Sequence, residues 1–379
     1  MAGRLLAGAT RPTFEGPGRK RQMPVTIAGH VLDSNRRPVG KARVSFKGKE
    51  VAESRSDGFF SVTLEKPESR LALTFASEGY VSNTRVYGPR AGLGQVVVMW
   101  PIGYRVKFDP SRELDIELGS SRLQIPAKAL TGPSGEKLSG PVRLQFTWFD
   151  VTNAFQRAAA PGDFSGQLLD GSIRRLNSYG IFDLQILDLK GFSLMLSPSA
   201  KVNLAIPVPR RLARRAPKEV GFFDFDTLTG RWIQVGTFSL APGSLTYNGS
   251  VKRLGGQYNL DDPQNTTCVT VRVVNMWDGA PMPDMYVEAQ GDQYYSWGWT
   301  GANGLVCLLV QRDGYFQVNA SGTVNGSFYG TPNPPTLHAP DFCSNEDDCG
   351  NPTMCPLVGE VQVDLIVGGG LSALQGVWA

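Results

Sequence analysis

Cysteine, asparagine, arginine and aromatic clusters hold what chemistry this sequence offers, and they are spread unevenly along its 379 residues. All five cysteines, Cys268, Cys307, Cys343, Cys349 and Cys355, lie in the last third. Five residues separate each of the last three, a spacing foreign to the common zinc motifs, and no histidine lies between them. Disulfides are therefore the expected use of these thiols. Five cysteines allow fifteen ways of making two bridges and leaving one sulfur over. One bridge is expected to tie the 343–355 loop to the strands before it through Cys268 or Cys307, and a second to close within the loop. The fifth thiol could pair between chains. Asp341, Glu346, Asp347 and Asp348 of the same loop are hard oxygen ligands that could hold calcium. They lack the EF-hand spacing, so a solvated acidic loop is the plainer expectation.

Four Asn-x-Ser/Thr patterns begin at Asn248, Asn265, Asn319 and Asn325, within about 80 residues of one another and beside the cysteines. Together they point to an oxidising, secretory compartment, against the alternative of turns merely rich in Asn, Gly and Thr. The first residues, MAGRLLAGATRPTF, lack the apolar stretch of a secretory leader. Either the chain is a piece of a longer precursor or its true start differs.

Arg210, Arg211, Arg214, Arg215 and Lys218 concentrate five positive charges between two expected strands. Such a patch could engage a sulfated glycan or another acidic polymer, although a solvated loop would look the same. Arg211-x-x-Arg214 and the dibasic Lys20-Arg21 also fit minimal processing patterns. Tyr294, Tyr295, Trp297 and Trp299 crowd four aromatics ahead of a glycine turn. Period-two alternation sends only half of them to a core, so the rest could form a contact face for a carbohydrate or protein. Catalysis finds no comparable foothold. Only His30 and His338 are present, neither has an evident nucleophile nearby in sequence, and no phosphate loop, nucleophile elbow or metalloprotease motif occurs in the required context. No catalytic residue, metal or cofactor is nominated. The aromatics read as core rather than as a stacking face among lysines, which disfavours nucleic acid.

The elements that must position these groups are short strands. Gly and Pro, 44 and 26 residues, exceed the usual share of about 12% for the pair, and only 19% of residues are charged. No window is apolar for long enough to form a membrane span. Residues 25–32, 42–46, 59–64 and 71–75 alternate and are joined by turn residues, Ser56-Asp57-Gly58 among them. Gly58 reads as a turn residue at positive φ, Phe60 as core and His30 as a strand residue. Further strands follow at 114–118, 123–125, 142–146, 201–206 and 222–226. The last third repeats the first: residues 271–275, Gly279-x-Pro281, 286–289 and Thr300-Gly301-Ala302-Asn303-Gly304 follow the strand-turn order of residues 25–62. Charge divides along the same line. Residues 1–265 hold 36 Lys+Arg against 23 Asp+Glu, and residues 266–379 hold 2 against 11.

Gly29-x-Val31-x-Asp33, Pro38-Val39, Ala42-x-Val44, Ser56-Asp57-Gly58-x-Phe60 and Gly79-Tyr80 make residues 25–99 resemble a carboxypeptidase regulatory-like domain, a non-catalytic transthyretin-like sandwich. Ile125-Pro126-Ala127, Phe146-x-x-Phe149-Asp150-Val151-Thr152, Tyr179-Gly180-x-Phe182 and Phe225-Asp226-x-x-Thr229-Gly230-x-Trp232 resemble, in the same order, the central region of cartilage intermediate layer proteins and related FAM171-type ectodomains. In that family a cysteine precedes the first strand of the second sandwich and another follows its turn, the places of Cys268 and Cys307. The resemblance implies an all-β chain of serial antiparallel β-sandwiches, two transthyretin-like modules flanking a central β-rich domain. The expected divisions are a basic lead (1–23), a first sandwich (24–102), a central domain (103–262), a second sandwich with its cysteine loop (263–367) and a flexible glycine-bearing tail (368–379). It also implies a non-enzymatic extracellular matrix or cell-surface protein, with a matrix protein, growth factor or glycan as partner and its oligomeric state open. A carbohydrate-binding module and an accessory domain of a secreted peptidase are the alternatives.

Overall fold

The computed structural model describes residues 24–65, 70–88, 94–264, 266–291, 295–324, 327–340 and 355–365. The chain is all-β, as its alternation and turns foretell. The first module contains β1 (Val25–Asp33), β2 (Arg43–Phe46), β3 (Lys49–Glu53), β4 (Phe59–Leu64), β5 (Leu71–Ala76), β6 (Asn83–Tyr87) and β7 (Gln95–Met99). They form two sheets of order β4-β1-β7 and β3-β2-β5-β6, with β1 antiparallel to β4 and parallel to β7. Alternation dictates the packing. In β4, Phe60, Val62 and Leu64 are buried while Ser61 and Thr63 face water. Phe60 meets Phe75 of the opposing sheet edge to face, with 4.9 Å between ring centroids.

The middle module starts with β8 (Tyr104–Phe108), β9 (Leu114–Leu118), β10 (Ser121–Ile125), β11 (Leu130–Thr131) and β12 (Val142–Phe149). A short helix α1 (Ala154–Ala159) follows, then β13 (Ser165–Gln167), β14 (Ile173–Leu187), β15 (Met195–Leu196) and β16 (Val202–Pro207). It closes with β17 (Glu219–Asp226), β18 (Arg231–Leu240), β19 (Thr246–Val251) and β20 (Gly256–Gln264). Its large sheet runs β8-β12-β14-β20-β17-β18-β19-β16-β10-β9, with β13 paired to β14 and β18. The alternation reading did not anticipate α1. The oxygen of Asn153 accepts from the backbone N–H groups of Phe155 and Gln156, an N-cap that starts a helix in an alanine-rich stretch.

The third module contains β21 (Thr266–Asn275), β22 (Tyr286–Gln290), β23 (Tyr295–Trp299), β24 (Leu305–Gln311), β25 (Tyr315–Val324), β26 (Ser327–Gly330), β27 (Thr336–His338) and β28 (Leu357–Leu365). Its order β24-β21-β28 repeats β4-β1-β7, antiparallel then parallel, and β23-β22-β25-β26 repeats β3-β2-β5-β6. The bridge between β26 and β28 joins the two halves into one sheet.

The repeat extends to single hydrogen bonds. The Val31 N–H donates to the Gly58 carbonyl and the Val273 N–H to the Gly304 carbonyl, both at 2.8 Å. Ser54 Oγ donates to the Val39 carbonyl and accepts from the Ala42 N–H; Thr300 Oγ1 does the same with Met282 and Met285. Gly58 and Gly304 have φ of 79° and 71°, and a Cβ on either would stand 2.6 Å from the carbonyl oxygen of Val31 or Val273. Only glycine meets both demands.

The modules are not beads on a string. A core centred on Ile27, Val44, Phe60 and Phe75 is built by the first sandwich, with Trp299 of the third module packed against it, whereas one continuous core runs through the middle and third modules. β20 ends at Gln264 and β21 begins at Thr266, so the chain enters the third module with hardly a break between strands. Among the described residues no helix is long and apolar enough to cross a membrane.

Candidate functional site

The aromatic cluster marks the place where all three modules meet. Alternation puts Trp297 and Trp299 on one face of β23, and the ladder sets Tyr286 opposite Trp299 and Glu288 opposite Trp297. The Tyr286 ring lies 5.3 Å from Trp299 and 6.4 Å from Trp297, centroid to centroid. This face docks on the first sandwich. A Cβ on Gly88 would stand 2.6 Å from Cζ3 of Trp297 and 3.0 Å from Nε1 of Trp299. Both tryptophans are half-buried, and their indole N–H groups are enclosed without an acceptor among the described residues. These two expected contact residues thus spend most of their surface inside the protein. Of Tyr295 the strand position is described, and Tyr294 lies outside the described residues.

Charge completes the junction. Arg70 of the first module reaches the middle module and grips Asp163 with both terminal nitrogens, at 2.7 and 2.8 Å. It also donates to the carbonyls of Thr229 and Gly230, at 2.8 and 2.7 Å. Arg175 donates to the Asp163 carbonyl at 2.8 Å and contacts Ser296 Oγ of the third module at 3.3 Å. Burial pushes the Asp163 carboxyl upward, but the charge and hydrogen bonds of Arg70, with Arg175 and Ser165, hold it below the ordinary carboxylate range. Glu288 shows the opposite balance: burial raises it, and the charges of Arg85 and Arg157 only partly offset the rise.

The sheet beneath carries two further carboxyls raised by burial. Asp183 on β14 is pushed up to about 7, with one hydrogen bond from Gln185 at 3.3 Å pulling the other way. Asp261 on β20 is fully buried and raised well above its ordinary value, again by desolvation first. The nearby Ser178 hydroxyl pulls the other way without offsetting the burial. Sequence reasoning passed over Asp183, Asp261 and Glu288 because polar residues at alternate strand positions look like a solvated face, and over Arg70 and Asp163 because charged residues between elements look like solvated loops. The docking of the first module covers this one: Gln257 Nε2, on the same β20, donates to the Ser82 carbonyl at 2.8 Å.

Cys268 and Cys355 form a disulfide that ties the segment before β28 to β21, one of the two attachments expected for the loop. Cys307 completes a group of three sulfurs within 4.8 Å, its Sγ lying 2.8 Å from that of Cys355. With two of the three sulfurs joined, at most one thiolate is left to a metal, short of a structural zinc set. Cys343, Cys349 and the acidic Asp341, Glu346, Asp347 and Asp348 lie outside the described residues, as do Asn265, Asn325, the 1–23 lead and the 368–379 tail.

The remaining candidates are scattered. Arg210, Arg211, Arg214, Arg215 and Lys218 are exposed, and Arg210–Leu212 forms a 3-10 turn pinned by buried Leu212. The Tyr179 and Tyr247 hydroxyls donate to the carbonyls of Arg215 and Pro217, which anchors the loop backbone. Asn248 is exposed on β19, while Asn319 is half-buried on β25 opposite Glu288. His30 packs edge-on to Phe59, and His338 Nε2 lies 3.1 Å from Asp313 Oδ1.

No known protein-family profile matches the chain. Over 161 residues it is 26% identical to human cartilage intermediate layer protein 2, covering 39% of this chain and 14% of that protein. The chain thus spans about a seventh of the relative's length. Among solved structures, the Bacillus anthracis TIE protein aligns over 90% of this chain and 51% of its own, at 12% identity and a TM-score of 0.19. The major pilin subunit BcpA of Bacillus cereus aligns over 91% of this chain and all of its own, at 9% identity and a TM-score of 0.18. Scores this low define no shared arrangement of strands.

Proposed function

We propose that the chain is a non-enzymatic structural and binding segment of an extracellular protein. The observation that carries this reading is the local similarity to cartilage intermediate layer protein 2. The Cys268–Cys355 bridge fits an oxidising compartment. A junction built from Arg70, Asp163, Trp297 and Gly88 suits a segment that must keep its modules in a fixed relation under load. Of the buried carboxyls, Asp163 serves that architecture directly, locked in ion pairs, while Asp183 and Asp261 lie on the covered face of the sheet. The partner is a matrix protein, a growth factor or a glycan.

Secretion from animal cells behind a supplied leader tests the reading. Intact mass before and after alkylation and deglycosylation should show a bridged protein bearing at least one N-linked glycan. Retention inside the cell with all five thiols alkylatable would overturn it.

A further inference from the structure

The middle sheet opens where β18 and β19 part. They pair only at Ser239 with Asn248 and Leu240 with Tyr247. Each continues along its other neighbour, β19 on β16 as far as Val251 and β18 on β17 as far as Arg231. β13 closes the same edge of β18 at Trp232 and Ile233, so the edges left facing a cleft are the short stretch around Val235–Thr237 and the Gly249–Val251 end of β19. That cleft encloses about 1000 Å³. A smaller cleft of about 480 Å³ continues it toward Ser82 of the first module and shares Asp224, Val235 and Arg253 with it.

Register orders the side chains beside the gap. Gln124, Asn203 and Ser250 stand in one row across β10, β16 and β19, and Arg122, Ala205 and Asn248 stand in the next. Rows two residues apart repeat at roughly 7 Å along a strand. One step past the last pair, Val202 with Val251, come Lys201 and Lys252, and both line the cleft. Like charges at such a position repel and cost stability. Arg122 is neutralised by Asp115 at 2.6 Å and Arg253 by Asp224 at 3.1 Å. Among the described residues the two lysines have no ion-pair partner, so they supply the local surplus of positive charge.

We infer that this cleft binds an acidic linear glycan. Hydroxyl groups of successive sugars would meet the amide and hydroxyl rows and the open backbone edges, and a sulfate or uronate would sit between Lys201 and Lys252. Phe222, Val235 and Tyr258 stand among these polar side chains, so an acidic peptide strand is the competing occupant, and poly-L-glutamate tests it below. Asn248, a glycosylation candidate, stands in the same cleft, so a glycan attached there would compete for the space. The inference deepens the binding role proposed above and names its ligand class, but its test does not depend on where the chain resides.

The full chain, made in a bacterial periplasm so that Asn248 carries no eukaryotic glycan, is titrated calorimetrically at low salt. The probes are a heparin hexasaccharide, a hyaluronate hexasaccharide, maltohexaose and poly-L-glutamate. At least one acidic hexasaccharide should bind, sulfate or carboxylate preference being read from which one. Lys201→Ala with Lys252→Ala should weaken binding about tenfold or more, as expected for losing charge-assisted contacts. The same double variant should melt no lower than the parent, since it relieves a repulsion, which separates lost binding from lost folding. Replacing Arg210, Arg211, Arg214 and Arg215 by Ser should change the affinity less than twofold. The inference fails if neither acidic hexasaccharide binds, if the lysine variant binds undiminished, or if the arginine variant loses binding equally. It also fails if maltohexaose or poly-L-glutamate binds as tightly as the acidic sugars.

Discussion

Arg70 and Asp163, 93 residues apart in sequence, meet as a two-pronged ion pair that spans the seam between the first and middle modules. Asp163 is 1% exposed, so its carboxylate is out of water while the Arg70 side chain stays partly wet, and Ser165 meets the carboxylate's remaining oxygen capacity. Removing one partner of such a pair strands the other. Arg70→Met should lower unfolding stability by about 3–5 kcal/mol, since it also orphans the carbonyls of Thr229 and Gly230. Urea denaturation followed by tryptophan fluorescence measures this, and a change within ~1 kcal/mol would mean that the seam is held by other contacts.

Asp183 makes stability depend on pH. Its folded carboxyl titrates near 7 against an ordinary value of 3.8, so the folded state binds its proton more tightly than the unfolded state. Stability from this group is complete below pH ~4 and is lost as pH rises through about 7. Asp183→Asn should therefore stabilise the protein at pH 8 by up to about 4 kcal/mol and do little at pH 4. Asp261 is raised for the same reason and should leave part of the slope in place. Denaturation midpoints across pH 4–8 decide the matter; identical curves for parent and variant would refute the assignment.

Gly88 is one point at which the third module presses on the first. Gly88→Val would drive a branched side chain into Trp297 and Trp299, already within 2.6 Å and 3.0 Å of a bare Cβ. The expected result is a parted junction: red-shifted tryptophan emission, faster limited proteolysis between modules and a fall in stability of about 1–3 kcal/mol. Unchanged emission would show that the rings lie elsewhere.

The bridge between Cys268 and Cys355 closes a separation of 87 residues. Chain-entropy reasoning assigns roughly 4–5 kcal/mol to a loop of that length. Cys355→Ser should thus destabilise the third module strongly while the first sandwich, with its own core, melts late. Calorimetry would resolve the two transitions, and a single unshifted transition would contradict the prediction.

Gly58→Ala and Gly304→Ala should each cost more than ~1 kcal/mol, because both put a Cβ at positive φ against a carbonyl. A substitution tolerated at either site, read from its melting temperature, would break the equivalence of the two turns.

How far the sequence carries can be followed residue by residue. Asp57-Gly58 and Asn303-Gly304 announced the turns, and alternation such as Phe60, Val62 and Leu64 announced the strands beside them. The same signals, recurring in the same order, announced two sandwiches of one topology, because turn chemistry and period-two burial are local properties. Clustered cysteines foretold that the loop before β28 would be tied back. Edge strands with weaker alternation, β3 and β6, were not legible. Nor was α1, whose cap is a single asparagine.

Only the tertiary structure decided which polar residues would lose water. Asp183 and Asp261 sit at alternate positions that a lone sheet would leave exposed, and the docking of neighbouring modules over that face buries them; Glu288, on β22, is half-buried at the same junction. The same docking turned Trp297 and Trp299 from contact candidates into joints, and brought Arg70 to Asp163. The parting of β18 from β19, which opens the polar cleft, likewise depends on which strand lies beside which. Local periodicity sets which face of a strand is apolar; whether its polar face meets solvent or another module is settled by contacts between residues far apart in the chain.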